Sequence, residues 1–103
     1  MDAVSVNPVS DGTLHVVLRG EIDFTKSAWV RKVICDAVIE QRPSAVRVEM
    51  AEVAFLDSSG IGVLVEVMRA AWEVNAAFQV ERPTARVYDQ LRTAGLLAAF
   101  GLT

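Results

Sequence analysis

Hydrophobic residues recur along this chain with two different periods, which predict short strands and longer helices. Residues 4–9 carry three valines, and residues 14–18 form a second strand-like run. Asp11-Gly12 between them is a turn signal, so the two strands are predicted to form a hairpin. Pro8 cannot donate a ladder hydrogen bond, which places the first strand at an edge of the sheet.

Helical spacing and strand-like alternation then follow each other through the rest of the chain. The predicted helices start at Thr25 or Ser27 and end near Gln41, run from Ser58 to about Asn75, and span Val87 to Ala94. Strands are predicted between them over Ala45–Met50 and Ala77–Val80. A hairpin followed by alternating helices and strands predicts an α/β domain with a mixed sheet. Right-handed crossovers would bring Asp23 and the Asp57-Ser58 junction to the same end of that sheet.

The residues Asp57-Ser58-Ser59-Gly60 join an apolar run to the second helix. The first N–H groups of a helix have no partner within the helix, and the hydroxyl of Ser58 or Ser59 can cap them. The same N–H groups, with the positive end of the helix dipole, favour an anion. A serine here is therefore a helix cap or a phosphate acceptor, and the two roles are compatible.

The second helix leaves two further alternatives open. Gly60 and Gly62 each cost roughly 1 kcal/mol inside a helix relative to alanine, so either the helix start packs closely on the sheet or a partner's backbone approaches it. Its predicted inward stripe consists of Ile61, Leu64, Val65, Met68 and Trp72. Outside that stripe, beside Glu66, lie the apolar residues Val63, Val67 and Ala70. They form either a partner surface, which we favour, or a contact with a neighbouring helix.

Three short motifs span residues 20–96. They are Gly20-Glu21-Ile22-Asp23, Asp57-Ser58-Ser59-Gly60 between an apolar strand and an apolar helix, and Ala94-Gly95-Leu96. In order and approximate spacing the chain resembles STAS domains, and most closely stand-alone anti-sigma factor antagonists. The family patterns are Gly-Glu-Leu-Asp, Asp-Ser-Ser-Gly and a late Ser-Gly-Leu, which Ala94 matches only loosely. Lys26 also stands where many relatives carry a capping threonine.

The resemblance implies the STAS fold, in which an N-terminal hairpin precedes alternating helices and strands, with helices packed mainly on one face of a mixed sheet. It also implies that a kinase phosphorylates Ser58 and that Asp57 and Asp23 help to present it. The partner-binding surface is then expected to include Ser59, Gly60, Gly62, Val63, Glu66 and Val67. A single STAS domain is expected over residues 1–103, with the family's C-terminal helix missing or shortened. The apolar tail that remains, from Leu96 to Leu102, packs on the sheet or supports self-association.

Composition and charge exclude several classes of function. A chain of 103 residues holds one domain with a modest core, and a net charge of −3 gives no basic surface for nucleic acid. No apolar run approaches the ~20 residues that span a bilayer, and the N-terminus lacks the basic start of a signal peptide. Cys35 has no second cysteine to pair with, which fits a reducing cytoplasm. His15 has no second histidine, so we expect no metal and no cofactor.

The same residues favour a binding module over an enzyme. Ser58 does not lie in a Gly-x-Ser-x-Gly elbow, and Val65 replaces the third glycine of a dinucleotide fingerprint. The resemblance implies a protein that binds an anti-sigma factor of the GHKL serine-kinase type and so releases a sigma factor. Phosphorylation of Ser58 would end that binding, and a phosphatase would restore it. The alternative is a constitutive STAS scaffold in a stressosome or a lipid-transport ATPase complex. Direct contact with nucleic acid or a membrane is not expected.

Overall fold

A β-hairpin forms one edge of the sheet, as its turn residues predicted. In the computed structural model, which describes residues 3–103, β1 (Val4–Ser10) pairs antiparallel with β2 (Thr13–Ile22). Asp11 and Gly12 connect them with φ angles of 52° and 79°, the left-handed backbone that a tight two-residue turn requires. The expectation about a signal peptide rests partly on Met1 and Asp2, which lie outside the described residues.

Helices and strands alternate after the hairpin. The elements are α1 (Phe24–Gln41), β3 (Ala45–Leu56), α2 (Ser58–Glu73), β4 (Ala77–Glu81) and α3 (Ala85–Thr93). The sheet has the order β1-β2-β3-β4, and β3 is parallel to both of its neighbours. The predicted α/β fold with a mixed sheet is therefore confirmed. β3 is longer than the strand predicted over Ala45–Met50, because it continues to the residue before Asp57.

Only one face of the sheet is buried. The inward side chains include Leu14, Val16, Leu18, Val46, Val48, Met50, Phe78 and Val80. Side chains at the alternate positions are more exposed and form ion pairs, for example Arg47 with Glu81 at 3.2 Å. The helices thus cover one face, while the other face is polar and open to solvent.

The buried face of α2 differs from the predicted stripe. It consists of Gly60, Val63, Leu64, Val67, Met68 and Ala71. Val63 and Val67 are 3% and 0% exposed, so the partner surface expected from these two residues is wrong. Helix α1 lies alongside α2 and covers that flank, as the alternative interpretation required. Trp72, predicted to point inward, is instead 54% exposed.

The apolar tail packs against the sheet, which decides one of the alternatives left open by the sequence. Phe100 is completely buried, and its ring meets that of Phe78 edge-on at a centroid distance of 5.5 Å. Its carbonyl also accepts a hydrogen bond of 3.0 Å from the N–H of Val80. The tail therefore extends the core along the outer side of β4.

On its β4 side the end of β3 is held by a side chain instead of a strand, whereas on the other side β2 pairs with β3 as far as Leu56. β4 pairs only with residues 45–49 of β3. Beyond them, the N–H of Leu56 donates to Oε1 of Gln90 at 3.2 Å, and Nε2 of Gln90 donates to the carbonyl of Leu56 at 2.6 Å. Gln90 thus fixes the position of the chain one residue before Asp57.

We expect Gln90→Ala to lower the free energy of unfolding by ~1–2 kcal/mol. The reason is that the N–H and the carbonyl of Leu56, a buried residue, both lose their hydrogen-bond partner. Urea denaturation measures this. Asp89→Ala, on the exposed side of the same helix, is the control and should change stability by less than ~0.5 kcal/mol. Equal losses in the two variants would show that the amide contacts with Leu56 contribute nothing specific.

Candidate functional site

One carboxylate joins the starts of the two long helices. Oδ1 of Asp57 accepts hydrogen bonds from the N–H of Gly60 at 2.9 Å and from the hydroxyl of Ser59 at 2.5 Å. Its Oδ2 accepts from the N–H of Phe24, the first residue of α1, at 3.0 Å. The prediction that the Asp23 loop and the Asp57-Ser58 junction are neighbours is therefore confirmed.

Asp57 caps α2, so the interpretation of Ser58 or Ser59 as the cap is wrong. The backbone of Asp57 is extended, and its side chain satisfies the third N–H of the helix. Ser58 becomes the first helical residue, and its side chain is exposed. No hydrogen bond found within residues 3–103 uses its hydroxyl, whereas the Ser59 hydroxyl is held by Asp57. The two serines are thereby distinguished, and Ser58 is the more accessible candidate for a phosphate acceptor.

Asp23 plays the equivalent role at the start of α1. Its Oδ1 accepts from the N–H of Thr25 at 3.0 Å and from the Thr25 hydroxyl at 2.5 Å. The helix consequently begins at Phe24 and not at the predicted Thr25 or Ser27. Lys26 donates from Nζ to the carbonyl of Glu21 at 3.1 Å, which places a positive charge on the same side of the site.

Both capping aspartates are held in their ionised form. The Ser59 hydroxyl, and after it the N–H of Gly60, lower the pKa of Asp57 below its ordinary value of 3.8. The hydroxyl of Thr25 does the same to the pKa of Asp23. At neutral pH the residue before Ser58 is therefore ionised, and so is Asp23, whose chain neighbour Phe24 donates to Asp57.

These shifts predict how stability depends on pH. Because the folded pKa of Asp57 lies below the unfolded one, its contribution to stability is present above about pH 4 and is lost as the pH falls through the folded value.

Asp57→Asn removes the charge and the contact with Phe24, so we expect Tm to fall by roughly 5 °C at neutral pH. The difference from the wild-type chain should shrink near pH 3. Thermal melts at both pH values measure this, with Asp36→Asn as the control. A difference that does not depend on pH would contradict the assignment.

The two glycines of α2 have different structural explanations. A Cβ on Gly60 would lie 2.3 Å from the carbonyl oxygen of Ile22, so Gly60 allows the helix start to pack closely on the end of β2. A Cβ on Gly62 would have no heavy atom within 4 Å. Close packing within the chain accounts for Gly60, and it does not account for Gly62.

A shallow groove of about 240 Å³ runs between α1 and α2 beside Ser58. It is lined by Ser27, Ala28, Arg31, Ser59, Gly62, Val63 and Glu66. Arg31 pairs with Glu66 across the groove at 3.1 Å, and both side chains are about half exposed. Of the residues expected in a partner surface, Ser59, Gly62 and Glu66 are thus at the surface, whereas Val63 contributes only the small exposed part of its side chain.

Phe24 is a candidate residue that the sequence interpretation missed. Its side chain is 76% exposed, and it begins α1 directly after the capping Asp23. An aromatic residue at the first position of a helix was the available signal. Among residues 3–103, no three His, Cys, Asp or Glu side chains come together as metal ligands. Across the same residues, no helix has the length and apolar character that a bilayer span requires.

Comparisons with known proteins agree with this architecture. SpoIIAA in its unphosphorylated form, an anti-sigma factor antagonist, has a TM-score of 0.81 at 24% identity, over 91% of this chain and 82% of that one. The phosphorylated form of SpoIIAA, a cell fate determinant of Bacillus, has a TM-score of 0.75 at 22% identity, over 95% and 87% of the two chains. A sulfate transporter family protein from Wolinella succinogenes has a TM-score of 0.76 at 21% identity, over 92% and 76%.

At these identities the likeness to solved structures concerns the fold. Comparison with curated protein sequences gave no match. The family model of the STAS domain matches residues 5–103, which is almost the whole chain. The chain therefore belongs to the STAS domain family.

Proposed function

We propose that this STAS domain is an anti-sigma factor antagonist. It binds an anti-sigma factor that is also a serine kinase of the GHKL type, and it thereby releases a sigma factor in the cytoplasm. Phosphorylation of Ser58 ends the binding, and a phosphatase restores it. The observation that carries the proposal is the exposed Ser58 hydroxyl, which has no hydrogen-bond partner within residues 3–103 and begins a helix capped by another residue.

A phosphate on Ser58 is compatible with the folded domain. Since Asp57 supplies the cap, the hydroxyl of Ser58 is not needed to hold the helix together. The first turn of α2 also presents the positive end of the helix dipole to an added anion. The kinase can therefore modify Ser58 without unfolding α2.

The same modification would oppose binding by charge. A phosphate adds about 1.5–2 negative charges at neutral pH, beside the carboxylates of Asp23 and Asp57. Burying that charge in a fitted interface without new partners costs several kcal/mol. Each 1.4 kcal/mol changes an equilibrium tenfold, so a single phosphate is enough to convert tight binding into none.

The site also supports a role for Ser58 as a phosphate acceptor and not as a catalytic nucleophile. A serine nucleophile needs a neighbouring base. His15, the histidine of this chain, lies seven residues before Ile22 in β2, which places it about 23 Å along the strand from the end that carries Ser58. The carboxylate nearest to the serines accepts its hydroxyl hydrogen bond from Ser59 and not from Ser58.

The comparisons bear on both candidate functions. A phosphorylated form is known for SpoIIAA, so this fold accommodates a phosphate in that protein. The likeness to a sulfate transporter family protein shows that the same fold also occurs elsewhere. The second candidate function is therefore a constitutive STAS scaffold in a stressosome or a transport complex, for which Ser58 is merely an exposed helix residue.

Capture from the organism's own lysate separates the two candidates. The tagged wild-type chain, Ser58→Ala and Ser58→Glu are used in parallel, and the proteins that they retain are identified by mass spectrometry. We expect a GHKL-type ATPase with the first two forms and not with Ser58→Glu. Ser10→Glu, which adds the same charge at an exposed position in β1, is the control and should retain the ATPase. Recovery of one transport or stressosome component by all four forms would overturn the proposal in favour of the scaffold.

A further inference from the structure

The outer edge of β1 carries backbone groups that face away from the sheet. β1 lies at the edge and pairs with β2 alone. Because the N–H of Arg19 donates to the carbonyl of Ala3 at 2.9 Å, alternate residues of β1 counted from Ala3 face β2. The N–H and C=O groups of Val4 and Val6 therefore point outward, and no hydrogen bond found within residues 3–103 uses them. Pro8 has no N–H and ends this open stretch, which is a template for a further strand.

One side of α1 lies above the same edge. Helix α1 packs on β1 and β2, whereas α2 packs on β3 and β4. Arg31 faces α2 through its ion pair with Glu66, and Trp29 lies about 200° around the helix from it. The Trp29 side chain is 47% exposed. The side of α1 that faces away from α2 consists of residues at helical spacing, namely Lys26, Trp29, Val33, Ala37 and Glu40.

This side of α1 is complementary to a second copy of itself. When two such helices lie antiparallel with Val33 at the centre, Lys26 of each copy faces Glu40 of the other. Trp29 of each copy then faces Ala37 of the other, so a large side chain meets a small one. Opposite charges and complementary sizes therefore coincide in a single register.

The strand and the helix are related by the same two-fold axis. Antiparallel pairing of two β1 strands about Ser5 sets Val4 of each copy opposite Val6 of the other, and each such pair exchanges two hydrogen bonds. Ser5 pairs with Val17, which lies about 13 Å from the start of β2. Val33 lies about 12 Å from the end of α1, which is at that same end of the sheet because α1 runs back along β2. Ser5 and Val33 are thus at the same height.

We propose that two copies of this chain associate through the edge of β1 and the adjoining side of α1. The two four-stranded sheets become one continuous sheet, with the two α1 helices antiparallel on its covered face. Neighbouring strands are ~4.8 Å apart and α1 lies over the β1–β2 pair, so the two helix axes are about 10 Å apart, an ordinary packing distance.

This association goes beyond the proposed function and does not depend on it. Ser58 begins α2, which lies on the side of α1 away from the two-fold axis. The dimer therefore leaves the Ser58 hydroxyl of both copies accessible, whatever the partner of that site is.

Reversal of the two charges tests the register. Sedimentation velocity at increasing concentration should show a monomer–dimer equilibrium for the wild-type chain. Lys26→Glu and Glu40→Lys should each weaken the dimer about tenfold, because like charges then face each other twice. An equimolar mixture of the two variants should associate as tightly as the wild-type chain. Within one chain these residues are about 21 Å apart along α1, so the rescue reports a contact between copies.

Arg69→Glu, the same change of charge at an exposed position of α2, is the control and should leave the dimer constant unchanged. A second measurement uses NMR amide exchange, in which the N–H groups of Val4 and Val6 should exchange more slowly in the dimer than in the monomer. A wild-type chain that stays monomeric at every concentration would overturn the proposal. A dimer that tolerates both single reversals, or that leaves these two amides unprotected, uses another surface and would overturn it as well.

Discussion

Gly60→Ala is expected to lower the free energy of unfolding by ~3 kcal/mol, at the upper end of the usual cost of overpacking. The added Cβ would lie 2.3 Å from the carbonyl oxygen of Ile22 and 3.2 Å from a methyl group of Leu56. The first of these atoms is backbone at the end of a central strand, so it cannot move aside as a flexible side chain would. The start of α2 must shift, and the hydrogen bonds that Asp57 makes to Gly60 and Phe24 are strained with it.

Gly62→Ala, two residues further along the same helix, is the matched control. Its new methyl group meets nothing within 4 Å, and alanine is the better helix former by roughly 1 kcal/mol. Urea denaturation should therefore show opposite signs for the two substitutions. Equal destabilisation by both would mean that the contact between Gly60 and Ile22 does not set the position of α2.

Ser58→Glu is expected to weaken the complex with the anti-sigma factor at least a hundredfold, which corresponds to ~2.7 kcal/mol. The carboxylate would enter the interface beside the ionised Asp23 and Asp57. The fold should not suffer, because an acidic residue in the first turn of a helix is stabilising by ~0.3–1 kcal/mol. Loss of binding with unchanged or higher stability is the expected combination, measured by calorimetry and thermal melts.

Ser59→Glu is the matched comparison for this prediction. It adds the same charge one residue further along the helix, and it should lower stability slightly because it removes the hydroxyl that Asp57 holds at 2.5 Å. If Ser59→Glu abolished binding and Ser58→Glu did not, the acceptor would be the other serine. If neither did, phosphorylation at this junction could not be the switch.

Much of the fold was predictable because its signals are local. Asp11-Gly12 supplies two left-handed residues in a row, and Pro8 marks an edge strand. The meeting of Asp23 with Asp57 followed from crossover handedness alone. The position of Phe100 in the core had no such signal, because its place depends on contacts with Phe78 and Val80 in a distant strand.

Two predictions about the site are wrong because the residues of α2 are compatible with more than one capping residue and more than one buried face. Asp57, Ser58 and Ser59 are all good capping residues, and the extended backbone of Asp57 decides among them. Helix α2 is apolar over most of its circumference, so its period could not fix which side faces the sheet. The pattern consequently predicts Val63 and Val67 at a partner surface, whereas α1 covers that flank of α2 and both side chains are buried.

Whether Ser58 is the phosphate acceptor that ends binding is measured by an ATP chase of the native complex. The tagged chain is captured from its own cells without ATP, magnesium and ATP are then added, and the released chain is analysed by tandem mass spectrometry. We predict that the bound GHKL ATPase dissociates and that a phosphate is found on the peptide at Ser58, while the complex of Ser58→Ala stays intact. A complex that survives ATP with Ser58 unmodified would show that phosphorylation of Ser58 is not the switch.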